Sequence, residues 1–205
     1  MATQPAKRTL QSQRRPRRRG ERRRAGILQA LHDCVIEQGY SKTTLADIAR
    51  RSGMSPSHLL YYFSGKDAIL DAYFKEVADR LLQRIDAFRG ESVERQIDLL
   101  SELFFAGKGL TRSEIGFMLE CFGAAVHDAR LRSLKSGLDR ACKDYLRQLF
   151  GAVPGRQRAG DRAEIAYALL VGLRTATYFD TRLSLHEARR VFRAEMRNLA
   201  GFTAS

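Results

Sequence analysis

Residues 52–63, SGMSPSHLLYYF, place glycine, proline and serines in the middle of a chain that otherwise reads as long helices. Gly53 suits the left-handed position that ends a helix, Ser55 suits an N-cap, and Pro56 suits the first helical position, where a missing N–H costs nothing. The stretch therefore predicts a tight turn between two helices. Immediately upstream, KTTLADIARRSG (42–53) gives the first of them, with Thr44 and Asp47 at capping-box spacing and Leu45, Ile48 and Ala49 turned inward. Downstream, Leu59, Tyr62 and Phe63 recur at i, i+3 and i+4 and face a core, which leaves Pro56, Ser57, His58, Leu60 and Tyr61 outward.

Further out, Ile27, Leu31, Cys34 and Val35 define the buried face of an earlier helix that Gly39 stops. SGKDAIL (64–70) restarts the chain with Ser64 and Asp67 as a second capping-box pair. Leu70, Tyr73, Phe74, Val77, Leu81 and Ile85 then carry a long helix to about Phe88. Helical periodicity continues near 92–107, 112–128, 130–151, 161–181 and 185–201, with GAVPGRQRAGD (151–161) as the clearest loop. No strand-like alternation or internal repeat occurs. The expectation is an all-α chain of about nine helices: a three-helix helix-turn-helix domain at 21–65 and a larger helical body at 66–205.

Of the net charge of +13, residues 1–24 supply +9, ten Lys and Arg against Glu21 alone. Such a like-charged, polar, proline-containing stretch reads as a disordered basic arm over residues 1–20. It suits DNA phosphates or a minor groove, with a solubilising tail or an acidic membrane surface as the other readings. Cys34, Cys121 and Cys142 are odd in number and set in apolar helical patterns, so they read as reduced, buried thiols of a cytoplasmic protein. No apolar run is long enough to span a membrane, and the arginine-rich start lacks the apolar stretch of a secretion signal.

A short helix, a glycine-bearing turn and a second short helix with an exposed polar face form a helix-turn-helix, whose second helix enters the DNA major groove. The stretch TTLADIARRSGMSPSHLLYYFSGKDAIL (43–70) resembles the DNA-binding region of the tetracycline-repressor (TetR) family. Thr43, Thr44, Ile48, Ala49, Gly53, Ser55, Leu59, Tyr62, Phe63, Lys66 and Leu70 stand at the family's characteristic positions, and Gly39–Tyr40 matches the pair that closes its first helix. ALLVGLRTATYFDTRLSLHEARRVF (168–192) looks like the family's last two helices, in the looser manner of choline-response repressors. Two departures stand out. Leu60 occupies a position where the family commonly has a tyrosine on the DNA backbone, and His58 one where a small Ser or Thr is usual.

The candidate DNA contacts are Thr44, Ser55, Pro56, Ser57, His58, Leu60, Tyr61 and Lys66, with Lys66 placed against a phosphate, whereas His32 and Arg50 read as plain surface and Tyr40 as packing. Phe104, Phe105, Phe117, Met118, Cys121, Phe122, Tyr167 and Tyr178 are the candidate lining of an effector cavity, a role implied by the resemblance beside their ordinary reading as core. The resemblance also implies a homodimer through the last two helices, with Ile165, Leu169, Leu173, Val191 and Leu199 at the seam. His127 and His186 have no metal-ligand spacing, and no nucleophile elbow, phosphate-cradling glycine loop or HExxH is present. The expectation is a DNA-binding transcriptional regulator with no cofactor, not an enzyme, partnered by double-stranded DNA, a second copy and a small-molecule effector. The other readings are a sequence-indifferent basic DNA-binding protein and a helical small-molecule binder.

Overall fold

The computed structural model describes the backbone of residues 6–107, 109–153 and 157–202, and within these ranges the side chains from residue 19 onward. Among the described residues all regular structure is α-helical: α1 Ala6–Gln38, α2 Leu45–Arg51, α3 Pro56–Leu60, α4 Lys66–Asp86, α5 Val93–Phe105, α6 Arg112–Ala124, α7 Ala129–Gly151, α8 Ala159–Phe179 and α9 Leu185–Ala200. The chain divides into two compact units, residues 1–73 and 74–205, with the division inside α4. It falls later than the 65/66 boundary read from sequence because Ile69, Leu70 and Tyr73, on the first turns of α4, are buried and Tyr73 stacks on His32 of α1 at 5.7 Å.

The N-terminal unit is built by caps and one small core. Ile27, Leu31 and Val35 of α1, Ile48 and Ala49 of α2, Leu59 of α3 and Ile69 and Leu70 of α4 are all fully or almost fully buried. The turn after α2 is a Schellman motif: Met54 N–H donates to the Ala49 carbonyl (2.9 Å) and Gly53 N–H to Arg50 (3.2 Å). Gly53 sits at φ +66°, a conformation that other residues enter at a cost. The Ser64–Asp67 capping box predicted for α4 does not form in that register. The first carbonyl bond runs from Ile69 N–H to Gly65 (3.2 Å), which makes Gly65 the cap, and Asp67 instead accepts the Tyr40 hydroxyl at 2.7 Å.

The backbone of α1 is helical from Ala6, where the charge pattern points to an unordered arm through residue 20; residues 1–5 lie outside the described residues. The packed turns from Ile27 to Gln38 supply the nucleus. Adding residues of good helix propensity such as Arg and Gln to an existing helix is far cheaper than starting one.

In the C-terminal unit α5 and α9 run antiparallel and are laced by three ion pairs in register: Arg189 with Glu102 (3.3 Å), Arg193 with Asp98 (2.5 Å) and Arg197 with Glu94. Beneath this ladder Phe192 meets Phe105 at 5.2 Å, and Ala188, Met196 and Ala200 are buried. α8 packs on α6, α7 and α9, turning Ala163, Ala166, Leu170 and Arg174 inward. Cys34, Cys121 and Cys142 are buried free thiols, and burial pushes the Cys142 thiol up to about 12. No helix among the described residues is long and apolar enough to cross a membrane.

The α2 cap sets a pH dependence. Hydrogen bonds from the Thr44 hydroxyl and N–H, and then from Gln38, hold the Asp47 carboxyl at about 2. A depressed carboxylate stabilises the fold above its unfolded value, near 4, and that contribution is lost as pH falls through its folded value. Asp47→Ala is therefore expected to lower Tm at neutral pH, with the deficit against wild type shrinking from about pH 4 down to about 2; circular dichroism melts across that range check it.

Candidate functional site

The short helix α3 is defined by its ends. Ser55 caps it, its hydroxyl accepting His58 N–H at 3.2 Å, and Pro56 occupies the first turn. At the other end, Arg24 of α1 donates from Nη1 to the Tyr62 carbonyl at 2.9 Å and lies over the Phe63 ring at 4.2 Å. A cation at a helix C-terminus opposes the negative end of its dipole. With Leu59 as the buried plug, Pro56, Ser57, His58, Leu60 and Tyr61 are all exposed, Tyr61 by 83% and Leu60 by 49%. The His58 and Tyr61 rings each contact Tyr62, at 5.5 and 5.3 Å. Among the described residues no hydrogen bond engages the side-chain polar atoms of Ser57, His58 or Tyr61.

The other candidates on this unit are committed to the fold. The Thr44 hydroxyl accepts Asp47 N–H (3.2 Å) and donates to the Asp47 carboxylate (2.6 Å). Lys66, placed at a phosphate by the sequence, donates from Nζ to the carbonyls of Tyr40 (3.0 Å) and Thr43 (2.9 Å) and sits 4.3 Å from the Tyr40 ring. His32 is buried rather than exposed, hydrogen-bonded to Asp33 at 3.1 Å. Arg50 is exposed as expected and pairs with Asp47 at 2.7 Å. The roles of Lys66 and Arg24 were missed because both are bonds to carbonyls far along the chain, which leave no local pattern.

In the C-terminal unit a cavity of about 100 Å³ lies among α4 to α8. Of the eight candidate lining residues it contains Phe104, Met118, Phe122 and Tyr167, together with Leu81, Ile115, Lys135, Asp139 and Arg174. Phe105, Phe117 and Cys121 are corrected to core: Phe105 packs on Phe192, Phe117 on Phe74 at 5.8 Å, and Cys121 is fully buried. Tyr178 lines a second cavity of about 80 Å³, which shares Leu110, Ile115 and Arg174 with the first. Tyr178 lies against Gly116, where a Cβ would meet its hydroxyl at 2.5 Å, and its ring carries Arg112 at 4.8 Å. The Tyr167 hydroxyl donates to Asp139 at 2.5 Å. Burial, followed by that carboxylate, pushes the phenol well above its ordinary range, so it stays protonated.

On α8 the seam candidates lie away from this cavity, with Ile165 56% exposed and Leu169 and Leu173 partly exposed; Val191 and Leu199 on α9 are partly exposed too. Among the described residues no group of three His, Cys, Asp or Glu side chains is placed to hold a metal ion.

Comparison with known proteins bears on both units. Residues 27–73 match the profile of bacterial regulatory proteins of the tetR family, and residues 93–201 that of the C-terminal region of BetI-type transcriptional repressors. The HTH-type transcriptional regulator BetI of Escherichia coli is 25% identical over 155 residues, 74% of this chain and 80% of the relative. A putative transcriptional regulator from Pseudomonas aeruginosa PAO1 shares the fold at TM-score 0.77 and 17% identity, over 88% of this chain and 91% of that one. So does a putative transcriptional regulator from Saccharomonospora viridis solved in complex with choline, at TM-score 0.73 and 22% identity, over 85% and 95% of the two chains.

The Lys66 geometry makes a prediction that needs no DNA. Lys66→Ala leaves two loop carbonyls without their charged donor, and a loss of about 2 kcal/mol is expected, read as a lower midpoint in urea unfolding of the free protein. An unchanged midpoint would return Lys66 to the role of a free surface cation.

Proposed function

The chain belongs to the tetR family of bacterial regulatory proteins, and on that premise we propose that it is a homodimeric repressor that reads a near-palindromic operator with α3 and is released by a small ligand in its C-terminal unit. The observation that carries the reading is the exposed face of α3. Ser57, His58 and Tyr61 offer polar atoms with no hydrogen-bond partner among the described residues, on a helix whose own fold needs only Leu59 and its caps. Tyr61 supplies the hydroxyl that Leu60 lacks. Leu60 itself suits a thymine methyl. Thr44, Ser55 and Lys66 support the reading head first and meet DNA only through their remaining valence.

The two-fold symmetry of the operator follows from that of the dimer. The partly uncovered apolar residues of α8 and α9 supply the seam, and Gly172, where an added Cβ would meet nothing in this chain, permits a close approach of the partner. The body is suited to a ligand by its cavity, and the choline complex of the Saccharomonospora viridis protein supports small-molecule binding in this architecture. Release requires only that the ligand prefer, by a few kcal/mol, a form of the dimer whose reading heads are out of register. Leu81, which lines the cavity, belongs to the same helix as Lys66.

Two experiments test this. Selection from a randomised duplex library near physiological salt is expected to enrich a palindrome with half-sites about 34–36 Å apart. Binding without enrichment would instead mark a sequence-indifferent, charge-driven protein. On the enriched site Tyr61→Ala is expected to cost roughly tenfold in affinity, about 1.4 kcal/mol, with an unchanged melting curve, while changes at Ser57 or His58 shift sequence preference. Separately, Ile165→Arg is expected to convert the dimer to a folded monomer by light scattering. A persisting dimer would place the seam elsewhere.

A further inference from the structure

Arg174 is out of keeping with its surroundings. It stands on the inward face of α8, only 8% exposed, and lines both cavities. Its guanidinium makes one hydrogen bond, Nη2 to the Leu110 carbonyl at 3.3 Å, and lies 5.9 Å from the Phe105 ring. Nε is buried with no hydrogen-bond partner, and among the described residues no carboxylate is paired with it. A guanidinium does not shed its charge, so burial leaves a cation without a counter-ion.

The other charges near the main cavity are already matched. Asp139, the only carboxylate of its wall, takes Lys135 Nζ at 2.6 Å and the Tyr167 hydroxyl at 2.5 Å. Two of the three aromatic rings of the lining already carry ammonium groups, Lys135 at 5.2 Å from the Phe122 ring and Lys143 at 5.4 Å from that of Tyr167. Apart from Thr175 the remaining walls are apolar, with Phe104, Ile115, Met118 and Leu170 among them. One uncompensated positive charge in an apolar chamber is complementary to an anion on an apolar body.

We propose that the effector is a small monocarboxylate with an aryl or short aliphatic body, its carboxylate paired with Arg174. This rests on the reading of the C-terminal unit as the effector-binding part. At about 10–15 Å³ for each water-sized group, the main cavity takes a body the size of benzoate or hexanoate without rearrangement of the fold.

The test is calorimetric titration of the full chain, without DNA, with benzoate, hexanoate, the neutral benzyl alcohol and the cationic tetramethylammonium. A carboxylate is expected to bind at least tenfold more tightly than benzyl alcohol, with tetramethylammonium silent. Arg174→Met is expected to abolish that preference while leaving Tm equal or higher, because it removes an unpaired buried charge; a merely structural arginine would lower Tm instead. Arg174→Lys, which keeps the charge and loses the two-pronged geometry, is expected to fall between. Equal binding of acid and alcohol, undiminished carboxylate binding by Arg174→Met, preference for the cation, or binding of neither carboxylate overturns the proposal. Carboxylate binding that leaves operator occupancy unchanged upholds the Arg174 site and counts against the regulatory reading alone.

Discussion

The N-terminal unit depends on a clamp made by one amine. Lys66, the first residue of α4, donates to the carbonyls of Tyr40 and Thr43 and lies over the Tyr40 ring, while the Tyr40 hydroxyl is held by Asp67 one residue further on. The loop that leaves α1 and enters α2 is thereby tied to the start of α4. The clamp matters because α3 has five residues, far below the length at which a helix holds its shape alone. Its conformation is imposed from outside, by the Ser55 cap, by Leu59 in the core and by Arg24 on the Tyr62 carbonyl. An exposed face built in this way keeps its residues free of structural duty, so the surface proposed to read DNA can vary without unfolding the unit that carries it.

The features read correctly from sequence are those whose physical cause is local. Caps at Thr44 and Ser55, the left-handed Gly53 and the helical stripe Ile27–Leu31–Val35 each depend on residues within one or two turns, so composition and spacing suffice. Apart from the helical start of α1, the misreadings are long-range. Lys66 and Arg24 bond to carbonyls whose positions only the folded chain determines, and His32 is covered by Tyr73 from another helix. Even the α4 cap failed by one residue, because the Tyr40 hydroxyl competed for Asp67.

The cavity of the C-terminal unit illustrates the same limit. On α6, Phe117 and Cys121 share one stripe, and Met118 and Phe122 the next, about 100° around the helix axis. Periodicity marks both stripes as apolar but not what each meets, and Met118 and Phe122 are only half-buried. One stripe is sealed in core while the other borders open volume. The signal that was present and overlooked lay in ALLVGLRTATYF, residues 168–179, where an arginine interrupts an otherwise apolar or small inward face. A buried, unpaired charge at a core position is the kind of local inconsistency that marks function rather than packing.

α8 turns Ala163, Ala166, Leu170 and Arg174 inward and leaves Ile165, Leu169 and Leu173 wholly or partly exposed beside them, so its apolar surface extends beyond what this chain covers. The proposed dimer seam and the proposed ligand charge would then both lie on this one helix. Desolvation draws Arg174 below the ordinary arginine range, so its unliganded state carries a cost that a carboxylate relieves. If, in the proposed dimer, that relief differs between an operator-binding and a released form, the same differential that loosens DNA in the presence of ligand must loosen ligand in the presence of DNA. On that reading the coupling would reside in whichever contacts of α8 and α4 differ between the two forms, with Arg174 as the charge through which a ligand acts on them.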